Sequence, residues 1–148
     1  MKGFTLFETL IVIGIGVLIC LISFSAFYDL DNNQLLAKET AEVGSYLERA
    51  RSMSVTSNNF SEYGLHFSPT SITLFQGKTY SSTDTANDLY PLNSRLVITP
   101  NLSDGASDFY FTKVAGKPSA TGTITISLLG STSTKTITIY STGLFESN

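Results

Sequence analysis

Cysteine, histidine and proline are scarce in this 148-residue chain, and each scarcity excludes something. Cys20 is the only cysteine, so no disulfide can close within the chain, even in an exported compartment that would permit one. It lies in an apolar stretch and reads as a small hydrophobe facing lipid or neighbouring helices. His66 is the only histidine, which removes any Cys/His zinc set and leaves no Ser-His-Asp combination that the sequence itself assembles. In an alternating stretch His66 reads as a partly exposed structural residue. Proline is absent from Met1 to Phe67, so nothing in that span forces a helix to break. Charge is missing over a long span as well: from Phe4 to Phe27 the single ionisable residue of acidic or basic type is Glu8.

That apolar run is long enough for a membrane-spanning helix. A carboxylate inside such a helix costs about 2.5–3.5 kcal/mol, so Glu8 reads as a residue kept for a task. Two plainer readings compete. A secretory signal peptide would use Lys2 as its basic start and Ser23-Phe24-Ser25 as its cleavage site, giving a mature chain from Ala26. A charge at position 8 is badly placed inside the apolar region of such a peptide, and the run is long for one. A simple signal anchor would leave Glu8 incidental.

The segment Lys2-Gly3-Phe4-Thr5-Leu6-Phe7-Glu8, followed by the apolar helix, resembles the processing site of type IV pilins and type II secretion pseudopilins. The resemblance implies cleavage after Gly3 by a prepilin peptidase, N-methylation of the new first residue Phe4, and Glu8 as the fifth residue of the mature chain. It also implies that Glu8 pairs with the N-terminal ammonium of a neighbouring subunit during assembly, offsetting its burial. The expected layout is a leader over 1–3, a transmembrane and filament-core helix over 4–28, and a globular domain over 29–148. The expected place is the bacterial cytoplasmic membrane, crossed once, with the domain outside the cytoplasm. The implied partners are the prepilin peptidase, membrane lipid before assembly, and other pilin or pseudopilin subunits. Gly14 and Gly16 weaken the helix by about 1 kcal/mol each against alanine. They read equally as flex points in a filament and as close-packing positions in a membrane.

From Asp29 to about Ser57 the helical period continues with charged residues around it. Val43, Leu47, Ala50 and Ser54 form one stripe with Leu36 a heptad earlier, while Lys38, Glu39, Glu42, Glu48, Arg49 and Arg51 occupy much of the remainder, Glu39 and Glu42 together on the polar side. Asn58 and Asn59 end the helix. Strands are expected over Tyr63–Phe67, Ile72–Phe75, Leu96–Thr99 (stopped by Pro100) and Asp108–Lys113, with a surface loop over Ser81–Asp88. Thr123–Leu128 and Thr136–Tyr140 alternate most cleanly and read as a hairpin through Gly130–Ser133, isoleucine inward and threonine outward. The fold class is α+β, a long N-terminal helix whose amphipathic half packs on an antiparallel β-sheet domain. The helix end Leu47-Glu48-Arg49-Ala50-Arg51-Ser52 and a closing segment from Thr136 to Gly143 resemble the minor pseudopilin H group.

The search for chemistry finds little, and the reading is of a protein that is not an enzyme, with no catalytic residue, no metal site and no cofactor. Asp84 with Asp88, and Asp104 with Asp108, lack the dense acidic spacing of a calcium loop. Gly77-Lys78-Thr79 lacks the glycine spacing and the following helix of a phosphate loop. Asn59-Phe60-Ser61 and Asn101-Leu102-Ser103 match the glycosylation pattern. The expected function is a structural subunit, minor in abundance, of a type IV pilus-like filament or secretion pseudopilus. The alternative is a DNA-binding minor pilin of an uptake system. Nine Lys and Arg against twelve Asp and Glu, a net charge of −3, argue against nucleic acid as the main partner. Lys78, Arg95, Lys113, Lys117 and Lys135 are scattered, though folding could gather Lys113, Lys117 and Lys135.

Overall fold

The structure, a computed structural model, describes the backbone of residues 5–148 and their side chains apart from residues 22–29. One helix, α1, spans Leu6–Val55 and passes through Gly14 and Gly16 without a break. By its internal contacts the chain divides into two compact units, one ending at Gln34 and the other running Leu35–Asn148. Each is taken by itself.

In the second unit the helical stripe meets the expectation. Leu36, Val43, Leu47, Ala50 and Ser54 are all buried. Ser54 also joins the helix end to the first strand: its hydroxyl donates to the Ala50 carbonyl at 2.9 Å and accepts the Tyr63 N–H at 2.9 Å. The helix gives way at Val55, and Ser57, at φ +51°, leads into a short 3-10 turn over Asn58–Phe60.

Eight strands follow: β1 (Tyr63–Ser68), β2 (Ser71–Gln76), β3 (Asp88–Pro91), β4 (Leu96–Leu102), β5 (Asp108–Phe111), β6 (Gly122–Leu128), β7 (Thr134–Ile139) and β8 (Phe145–Ser147). They form two four-stranded antiparallel sheets, ordered β3-β2-β1-β5 and β4-β6-β7-β8. The α+β class is as expected, and the division into two sheets is new. One core joins the helical stripe to Leu65, Phe67, Ile72, Leu74, Phe109 and Phe111 of the first sheet. Leu96, Ile98, Ile124, Ile126, Ile137 and Ile139 complete it from the second. The hairpin β6–β7 buries isoleucine and leaves its threonines partly or fully exposed, in the expected alternation.

Three expectations are corrected. Pro100 does not end its strand: β4 continues to Leu102, with Pro100 opposite Ile124. β4 is an edge strand, so a residue without an N–H removes no hydrogen bond from its free side. β3 begins at Asp88, where a loop was expected to end, and β8 adds a strand beyond the Gly143 turn. Glu39 does not share a solvated face with Glu42. It is 4% exposed, because Tyr90 of β3 reaches it.

Candidate functional site

The start of α1 carries the residue on which the functional reading turns. Thr5 caps the helix: its side-chain oxygen accepts the Glu8 N–H at 3.3 Å, and its carbonyl accepts the N–H groups of Glu8 at 3.1 Å and Thr9 at 3.2 Å. Thr5-Leu6-Phe7-Glu8 has the spacing of a capping box, a signal that the sequence itself carries beside the charge of Glu8. A carboxylate in the first turn also complements the positive end of the helix dipole. The Glu8 side chain is exposed and has no hydrogen-bond or ion-pair partner among the described residues. Around it, Leu6, Phe7, Leu10, Ile11, Val12 and Ile13 are exposed, and the same holds on every side of the helix through Leu21. Leu6, Leu10 and Ile13 fall on one stripe and line a shallow apolar depression. Cys20 is a free thiol and is exposed. A beta carbon at Gly14 or Gly16 would meet nothing within 4 Å.

Among the described residues no helix is long and apolar enough to cross a membrane. Leu6 to Leu21 spans about 24 Å at 1.5 Å per residue, short of a hydrocarbon core of about 30 Å. Phe4 and residues 22–28, the rest of the expected 4–28 segment, lie outside the described side chains, as does the expected cleavage and methylation site at Gly3 and Phe4.

Elsewhere the structure gathers groups that the sequence keeps apart. Tyr90 donates to the Glu39 carboxylate at 3.2 Å, Tyr46 packs beside Tyr90 with ring centroids 5.5 Å apart, and Arg49 lies over Tyr46 while pairing with Asp88. Burial first, and the Glu39 carboxylate second, push the Tyr90 phenol up to about 12. Burial and then Asp88 raise Tyr46, against Arg49, which lowers it. On the other face of the first sheet, His66 stacks on Tyr80 at 3.9 Å. Its Nδ1 lies 3.9 Å from an Asp108 oxygen and its Nε2 3.4 Å from the Ser68 hydroxyl. The combination Ser68-His66-Asp108 is therefore assembled after all, through the β1–β5 register that sets His66 opposite Asp108. Its Nδ1 makes no hydrogen bond, and the Tyr80 ring lies flat against the imidazole, so the group reads as packing.

The remaining polar candidates disperse. Asp84 accepts the Ala86 N–H and Asp104 the Ala106 N–H, each closing its own turn. Among the described residues no group of three His, Cys, Asp or Glu side chains could hold a metal ion. Lys78 reaches Glu62 at 3.9 Å and lies over the Tyr110 ring. Lys113 donates to the Phe60 carbonyl at 3.0 Å. Lys135 lies opposite Ile126 in the β6–β7 ladder. Tyr140 donates to Glu146 at 3.2 Å, a bond that raises its phenol above the ordinary range.

No family model matches the chain, and no curated protein matches its sequence. Solved structures do match. The type IV minor pilin FimU of Pseudomonas aeruginosa superimposes in two crystal forms, each at 16% sequence identity. One gives a TM-score of 0.63 over 79% of this chain and 90% of that one. The other gives 0.58 over 76% and 92%. The fold of this chain, a long N-terminal helix followed by an antiparallel β domain, is similar to that of this type IV minor pilin.

Proposed function

We propose that the chain is a subunit, minor in abundance, of a type IV pilus-like filament or a type II secretion pseudopilus. One observation carries the reading: a pilin fold whose first helical turns expose apolar side chains on every side around a single unpartnered carboxylate. A helix apolar all round is stable only when covered by lipid or by other helices. A carboxylate entering such surroundings needs a cation beside it. Cleavage after Gly3 creates one, the ammonium of Phe4, which is N-methylated. In the assembled filament Glu8 takes the ammonium of a neighbouring subunit. Before assembly the helix rests in the cytoplasmic membrane, with the globular domain outside the cytoplasm and the prepilin peptidase as first partner. The DNA-uptake alternative has less behind it, since Lys78 is paired with Glu62 and Lys113 is bound to a backbone carbonyl.

Glu8→Ala tests the proposal in cells that carry a prepilin peptidase and a filament machine. The variant is expected to be inserted and processed, with a mature mass beginning at Phe4, yet to be absent from the sheared filament fraction. Incorporation equal to that of the unsubstituted chain would refute the role of Glu8.

A further inference from the structure

Two segments carry the pattern Asn-X-Ser, and the fold treats them differently. Asn101-Leu102-Ser103 lies at the end of β4. Leu102 is 5% exposed and belongs to the core, Gly122 packs directly against the Asn101 carbonyl, and the Ser103 hydroxyl accepts the Thr121 N–H at 3.2 Å. A transferase must take all three residues of such a segment into its own cleft. Here it would have to pull Leu102 out of the core. Asn59-Phe60-Ser61 stands clear of that core: Asn59 is exposed, and Phe60 is 90% exposed. The second segment therefore meets the surface-loop context that the pattern requires, and the first does not.

Local geometry displays the Asn59 amide. The Ser61 N–H donates to the Asn58 carbonyl at 3.1 Å, and the two residues between them, Asn59 and Phe60, have φ of +50° and +55°. Positive φ at both central residues is what a type I′ turn requires. The Asn59 side-chain nitrogen donates one hydrogen to the Tyr63 hydroxyl at a long 3.4 Å, and its second hydrogen has no partner among the described residues. Asparagine adopts the left-handed backbone readily, whereas for phenylalanine that conformation is costly. Lys113 donates to the Phe60 carbonyl at 3.0 Å and so helps to hold it there. The strain keeps an aromatic ring in water, where it adds nothing to the core. A sugar on the neighbouring amide accounts for that ring: the C–H face of the sugar packs on it and removes it from water.

We propose that Asn59 is an N-glycosylation site and that Phe60 is the platform on which the attached sugar rests. The donor is a sugar activated as a phosphate ester at its anomeric carbon, a class that includes lipid-linked and nucleotide-linked sugars. The new bond joins the Asn59 side-chain nitrogen to the anomeric carbon. The bond from that carbon to the phosphate oxygen breaks, the phosphate leaves with its electron pair, and the amide nitrogen gives one proton to a base of the transferase. The site lies wholly within the Leu35–Asn148 unit and does not depend on the filament reading.

The test is the mass of the full chain, purified in detergent from the cells that make it naturally. It is expected to carry the added mass of at least one sugar residue, which fragmentation by electron transfer places on Asn59. Asn59→Gln and Ser61→Ala should lose that mass completely. Ser61→Thr should keep it, because threonine satisfies the same pattern, and Asn101→Gln should keep it as well. Enzymatic removal of the sugar should lower the melting temperature of the unsubstituted chain by about 2–8 °C and leave that of Phe60→Ala unchanged. An equal fall in both would overturn the platform role of Phe60. No added mass, or a sugar found only on Asn101 or on a serine or threonine hydroxyl, overturns the assignment. Chain made without a transferase, incubated with a membrane extract of the natural cells and a lipid-linked sugar or with their soluble extract and a nucleotide sugar, separates the two donors. Transfer to Asn59 in either arm supports the site, and transfer in neither overturns it.

Discussion

Replacing Tyr90 by Phe removes one oxygen and leaves the ring in place beside Tyr46. That oxygen donates the one hydrogen bond shown to the Glu39 carboxylate, which is 4% exposed. A buried charged acceptor left without its donor loses about 1.5–3 kcal/mol. The variant should therefore be destabilised by ~2 kcal/mol at pH 7, a drop of about 10 °C in melting temperature. The alkaline limb has a definite sign. The Tyr90 phenol stands at about 12 in the fold against an ordinary 10, so folding favours its protonated form. That contribution is whole below pH 10 and is lost as pH rises toward 12. The difference between wild type and Tyr90→Phe should shrink across that window. Urea unfolding of the full chain in detergent, followed by circular dichroism from pH 6 to 12, measures both. The double variant Glu39→Leu/Tyr90→Phe should lose less than the two single changes added together, since it leaves no orphaned carboxylate. A Tyr90→Phe chain within about 0.5 kcal/mol of wild type at pH 7, with the same alkaline profile, would refute the reasoning.

Other outcomes follow from the same geometry. Gly64→Ala would place a beta carbon 2.5 Å from the Phe109 carbonyl oxygen and 2.8 Å from Phe75 Cε1, and should cost about 3 kcal/mol in a urea titration. Arg49→Ala breaks a pair whose side chains are both largely exposed, so it should shift stability by less than about 1 kcal/mol and lose even that in high salt. Co-expression with a prepilin peptidase should give a mature chain whose N-terminal mass is that of Phe4 bearing one methyl group. A start at Ala26 would restore the signal-peptide reading.

Local pattern determined much of this protein, because some of its features depend on residues within a few positions of one another. The stripe Leu36-Val43-Leu47-Ala50-Ser54 is buried as its period requires, and the Ile-Thr alternation of β6 and β7 sets a hairpin across a short turn. The lone Glu8 among apolar residues needs no tertiary contact to be noticed, and the capping spacing from Thr5 was legible too. Partnerships between residues far apart in sequence were decided by the tertiary structure. Asp88–Pro91 has too few apolar residues to declare itself a strand, and becomes one by pairing with β2. Once there, its Tyr90 turns Glu39 from a surface charge into a buried one. Pro100 sits in a strand because β4 is an edge, a property of sheet order that no residue carries alone. Asp108 meets His66 only through the β1–β5 register. Lys113 reaches the Phe60 carbonyl, and Val114 the Ser54 carbonyl, because two loops close on one helix end, a convergence that periodicity cannot express.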